Sequence, residues 1–290
     1  YRGALMGERR TAELLAEVDG IPSLPEAVSA IMPLVNDPQS SAEQIAEAIQ
    51  RDVGLTAKLL QLANSAYFSF PSKIGSVQLA VSLLGIREVR NVVLSASIIG
   101  MFKSFKGSPF LSVRELWVHS VNCAVAARTI ASQVTDLSPE EAFVGGLLHD
   151  VGMVILIDRL EDDLRKIVQL AEEEGIPFVE AERRYWEHTH ARIGRVLARK
   201  WKLPKAVAQA AEQHHFFSRD SASFKLTSVV HLADSLCIEK GAVYRLERDE
   251  KQENPQSWDV LDQRQEDLRE WLRELVEKDE DKAQVLLDIL

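Results

Sequence analysis

Apolar residues in this chain recur three and four positions apart through stretch after stretch. That period places them on one face of an α-helix, whereas a half-buried strand would need strict alternation. "SSAEQIAEAI" predicts a helix start, with Ser40 and Glu43 as a capping box and Ile45 and Ile49 on the buried face. "SPEEAF" repeats the device with Ser138 and Glu141, and Pro139 takes the first helical position. Gly85, directly after "VQLAVSLL", is a predicted helix stop. No alternating run or hairpin signal stands out, so an all-α fold with short loops follows.

The spacing of breakers divides the chain. Residues 1–20 read as an N-terminal helix or linker. Residues 20–105 read as a lobe of several short helices, punctuated by "IPSLPEA", "NDPQSS" and "SFPSKIGS". "KSFKGSPF" leads into longer helices over 106–240. Residues 241–290 begin with the polar, loop-like "RLERDEKQENPQSWD" and continue as an amphipathic helical extension, with Leu268, Trp271, Leu272 and Leu275 on one face. The final "VLLDIL" is too apolar to hang free and is expected to dock on the body.

Charge sharpens this division. Of the formal net charge of −10, the 15 acidic and 7 basic side chains of residues 247–290 supply −8, so the body is almost neutral. Such a body offers no basic surface for phosphate backbones, which argues against direct nucleic-acid binding. No run of apolar residues is long enough for a membrane span, and no secretory signal opens the chain. A cytoplasmic protein is expected. The chain opens on Tyr1 rather than Met and is expected to be a piece of a longer protein. Cys123 and Cys237 sit in apolar helical stretches and are read as reduced core thiols.

Candidate chemistry centres on "AFVGGLLHDVGMVIL", where His149 and Asp150 interrupt an apolar helix. A buried carboxylate needs a partner. Adjacent helical residues point about 100° apart, so both side chains can face one ion only near a helix end, which Gly152 supplies. The pair is either a set of metal ligands or a buried hydrogen bond between helices. His119 in "ELWVHSVNCAVAAR" and Asp234 in "VVHLADSLC" share whichever answer holds. Imidazole and carboxylate together suit a divalent first-row metal. His190 begins a helix, as a ligand or as a solvent-facing residue. His214 and His215 end the helix "KAVAQAAEQHH", where an imidazolium would meet the helix dipole. A second ion can be held if His190 and one of these two join the first four. His188 and His231 are read as non-ligands.

The order His119, His149-Asp150, Asp234 resembles the H…HD…D signature of the HD superfamily of metal-dependent phosphohydrolases. "IPSLPEAVSAI", "DVGLTAKLLQLANSAYF" and "IGSVQLAVSLLGIREVRNVVL" resemble its HDOD branch, the HD-related output domain of bacterial signalling proteins, over about residues 20 to 240. The resemblance implies an N-terminal helical lobe packed on an HD-like helical lobe. It also implies a regulatory role, without demonstrated catalysis, and in the full-length chain an upstream receiver domain. Compared with the HD-GYP phosphodiesterases that cleave cyclic di-GMP, Met153 stands where "HDxGK" has lysine, and "HHFFSRDSAS" stands where the GYP element would follow. His119, His149, Asp150, His190, His214 and Asp234 nevertheless match metal positions of that type.

Two functions are therefore expected. The first is a bacterial signalling output module acting through a regulatory partner protein or a small-molecule or nucleotide ligand, its HD-like lobe braced by one or two ions of iron, manganese, zinc or nickel. The second is a metal-dependent phosphohydrolase acting on a nucleotide or other phosphate ester, in which His190 holds a second metal or gives a proton to the leaving group.

Overall fold

A computed structural model of the chain is helical wherever it has regular secondary structure. It describes residues 26–239, except 38, 65–69, 103–104, 106, 135 and 187, together with 254–261 and scattered positions between 270 and 287. Among these residues there is no strand. The chain forms two compact units. The first contains α1 (Glu26–Asn36), α2 (Ala42–Gln50), α3 (Val53–Ala63), α4 (Val77–Leu84) and α5 (Ile86–Phe102). The second contains α6 (Val113–Ala131), α7 (Pro139–Leu148), α8 (Met153–Arg159), α9 (Glu161–Glu174), α10 (Phe178–Trp186), α11 (His190–Lys200), α12 (Lys205–Gln213) and α13 (Phe224–Glu239).

In the first unit, α2 buries Ile45 and Ile49 as the period predicts. Its capping box is one residue later than expected: Ser41 accepts from the Gln44 amide, and the Gln44 side chain returns to the Ser41 N–H. Ser40 lies outside the helix, because the extended backbone of Ser41 is what turns a hydroxyl onto the N3 amide. Gly85 closes α4 at a φ of +81°, a conformation that costs glycine little, and α5 begins at the next residue. At 17 residues α5 is longer than the short helices predicted for this region.

In the second unit, Ser138 caps α7 by accepting from the Glu141 amide, with Pro139 at the first position. The Ser138 hydroxyl is returned to Glu140 rather than Glu141. Gly146 decides how close α7 can come to α6. A Cβ on Gly146 would fall 2.6 Å from the carbonyl oxygen of Cys123, so α6 and α7 meet backbone to backbone. Helix α13 packs against both α6 and α7.

"NPQSWD", read as loop, is a 3₁₀ turn over Pro255–Val260, capped by Asn254. Trp258 is buried, and the turn packs along α13. Hydrophobic burial of that indole overrode the polar composition around it. Trp271 is partly exposed. Leu268, Leu272 and Leu275, residues 1–20 and nearly all of "VLLDIL" lie outside the described residues.

Candidate metal centre

Helix α7 ends at Leu148, and residues 149–152 turn before α8 begins at Met153. The turn is held by hydrogen bonds from the Val151 amide to Leu148 O and from the Met153 amide to Asp150 O. This break brings His149 and Asp150 to one side, as a straight helix could not. Gly152 makes the break compatible with α11, since a Cβ there would lie 1.9 Å from the His190 carbonyl oxygen. His190 is the first residue of α11, His214 caps the end of α12, His119 lies on α6 and Asp234 on α13.

All seven residues singled out in the sequence converge. His119 Nε2 lies 3.2 Å from His149 Nε2 and 3.1 Å from Asp234 Oδ1. Asp150 stands between two groups. Its Oδ2 is 3.2 Å from His149 Nε2 and 3.7 Å from His119 Nε2. Its Oδ1 faces the other way, 3.3 Å from His190 Nε2 and 3.4 Å from His214 Nε2. His215 Nε2 is 2.9 Å from His190 Nε2, so both histidines that end α12 belong to the second group, not one of them. His188 and His231 are in neither group.

The outward-facing ring nitrogens fix the chemistry of the inward ones. His149 Nδ1 lies 2.7 Å from Gly146 O, and His214 Nδ1 lies 2.9 Å from Ala211 O. Carbonyl oxygens only accept, so each Nδ1 carries the hydrogen and each neutral ring turns the Nε2 lone pair inward. His190 Nδ1 lies 2.7 Å from Glu182 Oε2, while Glu182 Oε1 accepts from the His190 amide at 2.9 Å. The result is a chamber of imidazole lone pairs and carboxylate oxygens with 0% exposure at His149, Asp150, His190 and His214. Lone pairs this close repel unless cations stand among them. Two clusters, one around His119, His149 and Asp234 and one around Asp150, His190, His214 and His215, can therefore coordinate one or two divalent ions.

Without metal, protons take the cationic role. Burial lowers His149, but the Asp150 and Asp234 carboxylates outweigh it and carry the imidazole up to about 9. His119 and His190 are raised in the same way, by Asp234 and by Glu182 with Asp150 respectively. Burial opposes ionisation of Asp150, yet His149, His190 and His214 hold its carboxyl well below the usual range. Burial pushes His214 and His215 down. A raised histidine stabilises the fold fully below its unfolded value of 6.5 and loses that contribution as pH climbs through its folded value of about 9. The chelated protein is therefore expected to lose thermal stability between about pH 6.5 and 9. Over the same window metal affinity should rise, because ions displace those protons. Thermal unfolding against pH, with and without chelator, checks both slopes.

Glu182 was silent in the sequence. It is fully buried on α10, eight residues before His190, and no spacing rule marks it. It orients His190 as the carboxylate of a carboxylate–histidine–metal triad would. Glu182→Gln keeps the shape and removes the charge, so affinity at the second cluster should fall by roughly 10–100-fold with the first cluster unchanged. Competition against a chromogenic chelator measures this. His231 also supports the centre from outside. Its Nδ1–H donates to His214 O at 2.7 Å, and its Nε2 accepts from the Asn254 amide at 2.8 Å.

A cavity of about 210 Å³ borders the centre. His215, Asp234, Glu180, Arg184 and Phe216 are among the residues that line it. Arg184 is ion-paired with Glu180 and Glu174, so the wall carries mixed charge. No helix among the described residues is long and apolar enough to cross a membrane.

An uncharacterised protein of Treponema pallidum is 27% identical over 225 residues, covering 77% of this chain and 43% of that protein. The chain thus spans less than half the length of the curated relatives it matches. Among solved structures, an HDOD domain protein of unknown function from Geobacter sulfurreducens superposes with a TM-score of 0.78 at 27% identity, covering 98% of this chain and 99% of that one. A Marinobacter aquaeolei protein assigned to signal transduction shares the fold, with a TM-score of 0.75 at 21% identity over 93% of this chain and 60% of its own. The family model of the HDOD domain matches residues 21–217, from the first helical unit through the paired histidines that end α12, and the chain belongs to the HDOD family.

Proposed function

We propose that this chain is a signal-transduction output module whose second unit is braced by a buried divalent metal centre. It passes on its state by binding a regulatory partner protein or a small-molecule or nucleotide ligand, under the control of a receiver domain elsewhere in the full-length protein. His119, His149, Asp150 and Asp234 hold one ion; Asp150, His190, His214 and His215 hold the other.

The enclosure of the centre carries this reading. Four of the seven ligands have no exposure, and the bordering cavity is smaller than the roughly 300–1,000 Å³ of ordinary small-molecule sites. Met153, at the position of the catalytic relatives' lysine, is buried too and brings no cation to a substrate. Such a site is suited to fixing helices in place. Membership of the HDOD family and the fold shared with the Marinobacter signal-transduction protein support the regulatory role.

One observation favours the second reading, a metal-dependent phosphohydrolase: Asp234 and His215 reach the cavity, so a phosphate ester there would touch ligands of both ions. A bound metal would polarise that ester and lower the pKa of a water. Manganese added to chelated protein is expected to raise the thermal midpoint without hydrolysis of a generic phosphodiester. Turnover present in the wild type and lost in Asp150→Ala would replace the signalling reading with the enzymatic one.

A further inference from the structure

The H…HD…D pattern leaves out one donor that the fold delivers to the first cluster. Cys123 lies one turn after His119 on α6, a placement the sequence explains as core packing. Its Sγ instead faces polar atoms, 3.4 Å from His119 Nε2 and 3.9 Å from Asp234 Oδ1. The donor atoms of His119, Cys123, His149 and Asp234 all lie within 4.8 Å of one another. In a tetrahedral site with metal–nitrogen bonds near 2.05 Å and metal–sulfur bonds near 2.3 Å, neighbouring donors stand about 3.3 Å apart, or about 3.5 Å when one is sulfur. The observed edges of 3.1, 3.2, 3.4, 3.7 and 3.9 Å bracket those values. One ion can therefore touch the sulfur together with both imidazoles and the Asp234 carboxylate, while Asp150 Oδ2, 3.2 Å from His149 Nε2, borders the same tetrahedron as a fifth donor.

We propose that Cys123 is a thiolate ligand of the first metal and makes that site select a thiophilic ion, such as zinc, over manganese or magnesium. The inference rests on the metal-centre reading above and adds a ligand to it. The two sites then differ in kind. The second offers only nitrogen and oxygen, whereas soft sulfur in the first favours zinc and iron over the harder manganese and magnesium ions. On binding, the Cys123 thiol gives its proton to solvent and its sulfur lone pair to the metal. A dication at this position favours the thiolate over the thiol. Cys237, buried on α13, acts on the Cys123 thiol and can serve the thiolate as an outer support.

The test titrates cobalt into the chelated full chain and reads bound metal and the near-ultraviolet spectrum together. A sulfur-to-cobalt charge-transfer band is expected to grow with the bound metal. The band should persist in Cys237→Ser and vanish in Cys123→Ser and Cys123→Ala. In the Cys123 variants the preference for zinc over manganese should fall by at least about tenfold, the scale of losing even an outer-shell partner. Because the chain has only two cysteines, the wild type and Cys237→Ser decide the matter even if the Cys123 variants fail to fold. Cobalt bound with no such band, or a band that survives in Cys123→Ser, overturns the thiolate ligand and leaves the metal centre standing. No cobalt bound at all overturns both.

Discussion

Gly152→Ala is expected to cost the fold at least about 3 kcal/mol, at or above the usual range for overpacking, and to release the second metal. The added methyl would sit 1.9 Å from the His190 carbonyl oxygen and 2.8 Å from the Gly194 amide nitrogen. Both are backbone atoms, so no side chain can rotate away, and the turn must separate from α11. That movement carries His190 Nε2 away from Asp150 Oδ1, its neighbour at 3.3 Å. A methyl at Gly75, where nothing lies within 4 Å, is the matched control and should be close to neutral. Urea unfolding measures the stability change, and metal analysis of the folded fraction measures the ions. Equal midpoints for wild type and Gly152→Ala would show that the turn does not press on α11 as described.

The second large effect is expected from Asp150→Asn, which keeps the side chain's shape and removes its charge. Asp150 faces both groups, so one substitution should empty both sites. In chelated protein it should also cost about 3–5 kcal/mol, the usual result of removing one partner from a buried charged set. The imidazoles of His149 and His190 owe much of their raised pKa to this carboxylate. His149 should therefore fall from about 9, and the loss of stability between neutral and alkaline pH should flatten. Differential scanning calorimetry across that range checks both consequences. A variant with unchanged stability and an unchanged pH slope would mean that Asp150 does not anchor the histidines.

The helical character of the chain was legible because the 3.6-residue period is a local property. So was the turn at His149 and Asp150, since the need for a helix end and the presence of Gly152 both lie within four residues. The convergence of His119 and Asp234 was different. They are 115 positions apart, and only the resemblance to a known pattern joined them. Glu182 and Cys123 had no such guide. Glu182 matters through one hydrogen-bonded ring, and Cys123 through a helix face that looked apolar along its length. Ser40 rather than Ser41 was read as the cap because adjacent serines differ only in backbone conformation. Trp258 in the 3₁₀ turn was hidden by polar neighbours, as its burial depends on contact with α13, distant in sequence.

The measurement to make first is the metal content of freshly purified protein by elemental analysis, beside Asp150→Asn prepared identically. One or two divalent ions per chain in the wild type, and none in the variant, is the expected result. A wild-type chain that carries no metal, and takes up none from added zinc or manganese, would reduce the cluster of seven side chains to a buried proton-bridged network and contradict the metal centre.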